Sequence, residues 1–269
     1  MQDNKSNILT ESLKQELQTR YNDKFPNGNF EEDLKIYSNV VPFAPHMNLW
    51  ESGQEMTAGA HYIMRIYTQL LLSEVFKAMK IDLRDENVKE CSESGNIGTP
   101  GRLAKMWCGA NLDDNSEMLS GRWIKEPRMA SFQRDEEPNQ TPVWIETQIR
   151  AVCSHHFIGF QNNPNDKDSF VVVGYIPEKG IKGGLSKISR FVRDYASRRP
   201  WLQEDLCTYV GNKIKEKFKS ESVYVAMHKI NHGCTWTRGA NDQDAGTTTT
   251  FISGKFAENP NLIPEKYRA

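Results

Sequence analysis

Two short runs carry the residue types that hold metals and move protons: Cys153-Ser154-His155-His156 and His232-Gly233-Cys234. Thiolate and imidazole are zinc ligands, and thiolate pairs favour zinc over harder cations. A Cys-x-x-His near-pair with a distant Cys supplies three ligands. That leaves a fourth tetrahedral position for water, the pattern of a catalytic rather than a structural zinc. Any one of these residues alone is more often an ordinary core cysteine or surface histidine. Their gathering at two strand ends is what favours a metal. A second feature is charge: Lys179, Lys182, Lys187, Arg190, Arg193, Arg198 and Arg199 stand against Asp194 alone in 179–199. Lys187 and Arg190 lie three apart, so they share a helix face. They follow Gly183-Gly184, and a helix start with glycines and cations suits a phosphate. No Gly-Lys-Ser/Thr follows, so this is not a Walker motif, and a charge run alone is usually a solvated surface. The third feature is Gln203-Glu204 after Arg199-Pro200. A carboxylate there complements a helix dipole, or accepts from the N1–H and 2-amino group of guanine.

The elements that must position these residues follow from periodicity. Ser6 to Asn22, rich in Glu, Lys and Gln, predicts an exposed helix. Asn27 to Trp50, preceded by Pro26 and carrying Gly28, Pro42 and Pro45, predicts irregular structure. Ile63, Ile66, Leu70, Val75 and Met79 recur at helical spacing, which predicts a helix over 58–80. Thr99-Pro100-Gly101 reads as a helix start. Residues 108–142 are polar and irregular, a long loop or an insertion. Val143, Ile145, Thr147, Ile149, Ala151 and Cys153 alternate as in a strand, and Ser169 to Ile176 is a β-branched and aromatic strand ended by Pro177. Asn162 to Asp168 between them predicts a polar hairpin loop. Leu185, Ile188, Val192 and Tyr195 return to helical spacing, as do Leu202, Leu206, Val210, Ile214 and Phe218. Val223, Val225 and Met227 alternate again, and Thr247 to Ile252 is a β-branched run. Helices followed by β-β-α-α-β-β argue an α+β class, with an antiparallel sheet and a helix pair on one face.

Composition bounds the answer. The 269 residues hold 34 Lys+Arg and 35 Asp+Glu, for a formal net charge of −1. A dedicated nucleic-acid binder is usually strongly basic, so no nucleic-acid partner is expected. No apolar run approaches the roughly 18 residues of a membrane helix, so no membrane partner is expected. The start lacks the apolar core of a signal peptide. Five cysteines form no dense framework, and a reducing cytoplasm is the expected location.

Taken together, the segments resemble the GTP cyclohydrolase I family. They are TPGRLAKMW (Thr99–Trp107), CSHH (Cys153–His156), GYIP (Gly174–Pro177), GLSKISR (Gly184–Arg190), RPWLQEDL (Arg199–Leu206), HGCTWTRG (His232–Gly239) and TTTT (Thr247–Thr250). They appear in the family's order from about Thr57 to Glu258. The resemblance implies a divergent N-terminal arm over 1–57 and a catalytic domain over 58–269. Within the latter it implies a helical part 58–142, a tunnelling-fold part 143–258 and a tail 259–269. In a tunnelling fold, antiparallel sheets from several subunits close into a barrel. The family usually forms a homodecamer, a pentamer of dimers, with active sites at subunit interfaces.

By the same resemblance, Cys153, His156 and Cys234 match zinc ligands, and His155 and His232 match catalytic histidines. Glu204 and Gln203 match the residues that read guanine. Arg102, Lys105, Lys187, Arg190 and Arg238 match cations around a triphosphate, with Leu185 and Ser186 among the substrate-binding residues. The implied reaction is hydrolysis of GTP at C8 with rearrangement to 7,8-dihydroneopterin triphosphate and formate. That is the first step of a pterin/folate or 7-deazaguanine pathway. Two alternatives stand beside it: another tunnelling-fold purine or pterin enzyme, and a catalytically silent, zinc-stabilised nucleotide-binding subunit. The chain departs from the family where Ser154 stands for the usual Glu and Gly101 for the usual His, and the 177–185 loop reads as one residue longer.

Overall fold

The computed structural model describes residues 10–91, 95–133, 141–237 and 242–268. The chain divides into two compact units, Met1–Phe43 with Leu49–Glu117, and Ala44–Asn48 with Met118–Ala269.

The first unit holds helices α1 (Glu11–Lys24), α2 (Phe30–Asn39), α3 (Ala58–Ala78) and α4 (Gly98–Cys108), with short strands β1 (Glu90–Cys91) and β2 (Asn96–Ile97). Side-chain oxygens of Thr10, Asn29 and Thr57 accept from the backbone N–H groups of Leu13, Glu32 and Ala60, capping the first three helices. Leu17, Tyr21, Phe30, Ile63 and Ile66 form the core of this unit. The first helix is therefore only partly exposed, because Leu17 and Tyr21 lie on its inner face. Helix α2 corrects the expectation of irregular structure over Asn27 to Trp50. Its Asn29 cap and its first-turn acids Glu31, Glu32 and Asp33 favour a helix start, and Pro26 and Pro42 bracket it rather than break it. His61 of α3 is buried, with Nε2 2.7 Å from the Cys108 carbonyl oxygen. Burial pushes it down to about 4, and it ties α3 to the end of α4.

The second unit is a mixed α+β layer. In chain order it holds β3 (Ser131–Gln133), β4 (Val143–Thr147), β5 (Arg150–Cys153), β6 (Gly159–Asn162), β7 (Phe170–Tyr175), β8 (Ile181–Gly183), α5 (Leu185–Arg190), β9 (Pro200–Trp201), α6 (Gln203–Phe218), β10 (Val223–His232), α7 (Gly233–Trp236), β11 (Gly246–Ile252) and α8 (Lys255–Glu258). Helix α5 continues into a π-helical stretch, Phe191–Ala196. β4 pairs with β7 and β5 with β6, while β7 and β6 both lie along β10, all antiparallel. β11 pairs with β10. The sheet thus runs β4/β5, β6/β7, β10, β11, with α5 and α6 between the strand pairs in sequence. One face packs Ile145, Val171, Val173, Val225 and Met227 against Ile188, Leu206, Val210, Ile214 and Phe218 of the helices. The other packs Val172, Tyr224 and Ala226 against Phe256, Ile263 and Tyr267. Both faces being covered explains why β10 is buried at consecutive positions from Val223 to Met227.

Three expectations are corrected here. The strand read over Val143 to Cys153 is broken at Gln148-Ile149, where the Ile149 N–H donates to Asn162 Oδ1 at 2.8 Å instead of to a ladder partner. The reversal between the first two long strands is not at Asn162 to Asp168 but at 154–158. There the Cys153 N–H donates to the Ile158 carbonyl and the Phe157 N–H to the Cys153 carbonyl, both at 2.8 Å, with Phe157 in the left-handed region at φ 52°. Residues 163–169 instead form an excursion inside the second strand. Asn163 and Asp166 close tight side-chain turns onto the N–H groups of Asn165 and Asp168. Ser169 Oγ donates to the Lys229 carbonyl, where β10 carries a bulge with Lys229 at φ 47°. The 108–142 region also carries more structure than expected. It contributes β3, which pairs with β8, and buries Leu119 and Trp123; residues 134–140 lie outside the described residues.

Candidate active site

Backbone pairing brings three segments to one end of the sheet. The first is the turn after β5, which starts at Cys153, only 7% exposed. The second is the start of α6. β9 runs parallel to β5, the Ser154 N–H donates to the Trp201 carbonyl at 3.0 Å, and Gln203 opens the helix two residues later. The third is the end of β10, where His232 pairs with Phe160 of β6 and its ring stacks on that phenyl at 4.6 Å and 4°. Gly233 then turns the chain into α7. A Cβ there would lie 2.4 Å from Ile158 Cγ2 and 2.9 Å from the Gly159 carbonyl oxygen. Only glycine lets Cys234 follow so close to the 153–158 turn.

His232 and Gln203 are joined directly, Nε2 to Oε1 at 2.7 Å. The Gln203 side chain is 2% exposed, and its Nε2 lies 3.3, 3.0 and 3.1 Å from the Met227 carbonyl, the Thr247 carbonyl and Thr249 Oγ1. Burial holds the His232 imidazole below its usual value, opposed by the negative charge of Glu204. Glu204 itself is exposed in the first turn of α6.

Two thiols and an imidazole are chemically suited to zinc. Cys153 is buried, Cys234 is half-buried, and His155 and His156 are exposed on the turn with ring centroids 6.1 Å apart. Among the described residues, no three His, Cys, Asp or Glu side chains are set around a common point. The backbone thus gathers Cys153, His156 and Cys234 at the same sheet end without drawing their side chains into a closed ligand set. Cys207 is a different kind of thiol: buried beneath β10 and β11, it is pushed up to about 12 by desolvation and belongs to the core.

The predicted cations divide between the units. In the first unit, Arg102 bonds Asn96 Oδ1, the Asn87 carbonyl and Thr99 Oγ1, and Lys105 stands 3.9 Å from Glu117. In the second, Leu185 and Ser186 open α5 on its exposed side, Lys187 is partly exposed, and Arg190 is exposed. Arg238 lies outside the described residues. Two polar clefts of about 290 and 470 Å³, around Asn163, Asn231 and Asp244, share none of these residues. Among the described residues no helix is long and apolar enough to cross a membrane.

The residues that sequence reasoning missed are the supports of His232. Phe160 stacks on it, and Met227, Thr247 and Thr249 hold Gln203. Thr247–Thr250 stood out as a run, but nothing in its composition says that one hydroxyl and one carbonyl meet a glutamine 44 to 46 residues earlier.

The second unit is thus a mixed α+β layer whose sheet end gathers segments bearing thiol, imidazole and carboxylate side chains. The family model of GTP cyclohydrolase I matches residues 73–269. Among similar proteins, the GTP cyclohydrolase 1 of Blochmanniella pennsylvanica is 32% identical over 63% of this chain and 69% of that protein. That of Shewanella loihica is 30% identical over 70% and 77%, and that of Edwardsiella ictaluri is 28% identical over 74% and 79%. Among solved structures, the archaeosine synthase QueF-Like in the apo form aligns with TM-score 0.31 and 19% identity, over 43% of this chain and 96% of that one. That likeness is too slight to define a fold. The chain belongs to the GTP cyclohydrolase I family and is an enzyme of that type.

Proposed function

We propose that this enzyme hydrolyses GTP at C8 and rearranges the opened purine to 7,8-dihydroneopterin triphosphate, releasing formate. The observation that carries the reading is the convergence of the 153–158 turn, the start of α6 and the end of β10 on one sheet end. Water adds across N7–C8, a second water hydrolyses the resulting formamide, and closure of the pterin ring returns one water. Zinc fits the donor chemistry of Cys153, His156 and Cys234; when bound, it supplies the Lewis acidity that activates water at neutral pH. His155 carries a proton at N7 while the imidazole ring opens, its own imidazole able to take up or give a proton at a ring nitrogen. His232 handles the proton at the ribose during rearrangement. Glu204 accepts from the guanine N1–H and 2-amino group. Arg102, Lys105, Lys187, Arg190 and Arg238, with Leu185 and Ser186, take up the triphosphate, so binding energy remote from C8 is used for positioning.

We further infer a tunnelling fold that closes into a barrel between subunits, in a homodecamer built as a pentamer of dimers with interfacial sites. β11 is largely exposed and, among the described residues, pairs with β10 alone, so its outer edge is open to a neighbouring strand. Light scattering that finds an active monomer contradicts this assembly. The cytoplasm is the proposed location, on the low cysteine content. Folate, tetrahydrobiopterin and 7-deazaguanine synthesis all begin with this step.

The test is incubation of the purified protein with GTP in magnesium-free buffer, followed by assays for formate and, after oxidation, for fluorescent pterin. Equimolar formate and pterin support the reading, and zinc-loaded protein that yields neither overturns it. Guanosine is expected to be a very poor substrate. Lys187→Ala should weaken GTP by on the order of 1.5–3 kcal/mol, the range for a charge-assisted hydrogen bond, mainly in KM.

A further inference from the structure

We propose that Gln203 is a positioning residue for His232 rather than a reader of the base. Its amide fixes the imidazole in the tautomer with hydrogen on Nε2, so that Nδ1 takes up or gives the reacting proton. The argument runs through donor and acceptor types. The Met227 and Thr247 carbonyl oxygens can only accept, and they lie 3.3 and 3.0 Å from the Gln203 side-chain nitrogen. Turning the amide over would set its oxygen against both of them. The amide nitrogen therefore faces the carbonyls and the amide oxygen faces His232 Nε2, 2.7 Å away. An amide oxygen cannot donate, so Nε2 must. The neutral ring then keeps its lone pair on Nδ1.

Three further facts support a positioning role. The side chain is 2% exposed. Its two N–H donors already face three acceptors, Thr249 Oγ1 at 3.1 Å being the third, so neither is left for a purine edge. The His232 ring plane is held from the other side by Phe160 at 4.6 Å. An imidazole fixed in plane and tautomer has less orientational freedom to lose before proton transfer. Base reading then falls to Glu204, the exposed neighbour.

The inference rests on the GTP reaction only for the identity of the proton that Nδ1 moves. The experiment therefore joins a spectroscopic readout to a kinetic one. In ¹⁵N-histidine-labelled full-length protein without substrate, the neutral His232 ring, assigned by comparison with His232→Asn, should show a protonated Nε2 whose hydrogen exchanges slowly enough to be seen. Gln203→Met keeps the volume and removes both ends of the amide. It should lose that signal, lower kcat by on the order of tenfold, and change KM for GTP by less than about twofold. A wild-type ring protonated on Nδ1 overturns the proposal, and so does a Gln203→Met enzyme with raised KM and unchanged kcat, the signature of a base reader. The tautomer is read on wild-type protein, and only its assignment uses the His232→Asn variant. If wild-type protein makes no formate from GTP, the reaction reading falls while the spectrum still decides the tautomer.

Discussion

The two sides of the sheet end are built differently. On the β10 side, His232 is stacked on Phe160 and bonded to Gln203, which is in turn bonded to three oxygens of β10 and β11. On the β5 side, Cys153 is buried in the strand, but Ser154 to Phe157 form a turn whose two histidines point to solvent. One side is completed by the chain's own packing, and the other presents exposed imidazoles beside a buried thiol. The difference teaches where preorganisation comes from. Hydrogen bonds and ring packing fix the imidazole proposed to move a proton, whereas the turn proposed to hold zinc would be ordered by the ion, because metal binding carries its own ordering energy.

That contrast can be broken most severely by removing a thiol. Cys153→Ser and Cys234→Ser should each lose bound zinc and GTP turnover together, measured by metal analysis and formate release. Retention of about one zinc per chain in either variant would remove that cysteine from the ligand set. Within the turn, His156→Ala should lose metal and activity, while His155→Ala should keep the metal and still drop in rate by about 10²–10⁴-fold, the scale of a general acid–base residue. Equal zinc loss in the two variants contradicts the division of roles.

Gly233→Ala probes the seam between the sides. The added methyl meets Ile158 and the Gly159 carbonyl, so about 1–3 kcal/mol of stability should be lost. A shifted urea midpoint with an unchanged slope is the expected result, accompanied by weaker zinc retention. The smallest effect belongs to Thr249→Val, which removes one of three acceptors from Gln203. About 0.5–1.5 kcal/mol should be lost in stability, with kcat changed only a few-fold. A loss of activity as large as that of His155→Ala would mean that the glutamine hangs on this single hydroxyl.

Much of the site was legible in the sequence because its clusters sit at element ends that periodicity marks. The alternation of Val143 to Cys153 and of Val223 to Met227 placed CSHH and HGC at strand ends, and helical spacing from Leu202 placed Gln203-Glu204 at a helix start. Resemblance then supplied roles that spacing alone left open. The breaks were not legible, for physical reasons. Asn162-Asn163-Pro164-Asn165-Asp166 carries stronger turn chemistry than Ser154 to Phe157, so the reversal was read at the wrong place. Nothing in Phe157 announces a left-handed backbone. Helix α2 was missed because Pro26 and Pro42 outweighed the Asn29 cap between them. The supports of Gln203 are contacts across 24 to 46 residues, which no local pattern carries.

The unequal continuity of the strands has a consequence for how this lineage can tolerate insertions and deletions. The first two long strands are each interrupted, at Gln148-Ile149 and at 163–169, and pair in register again on either side. β10 instead runs through from Val223 to His232, its one irregularity being the bulge at Lys229. Residues can be gained or lost in the 163–169 excursion without moving the end of the sheet that holds the imidazole. A single codon lost between Met227 and His232 would instead reverse the parity of everything beyond it and send that imidazole to the opposite face. Length variation among descendants should therefore collect in the excursion and be absent from β10.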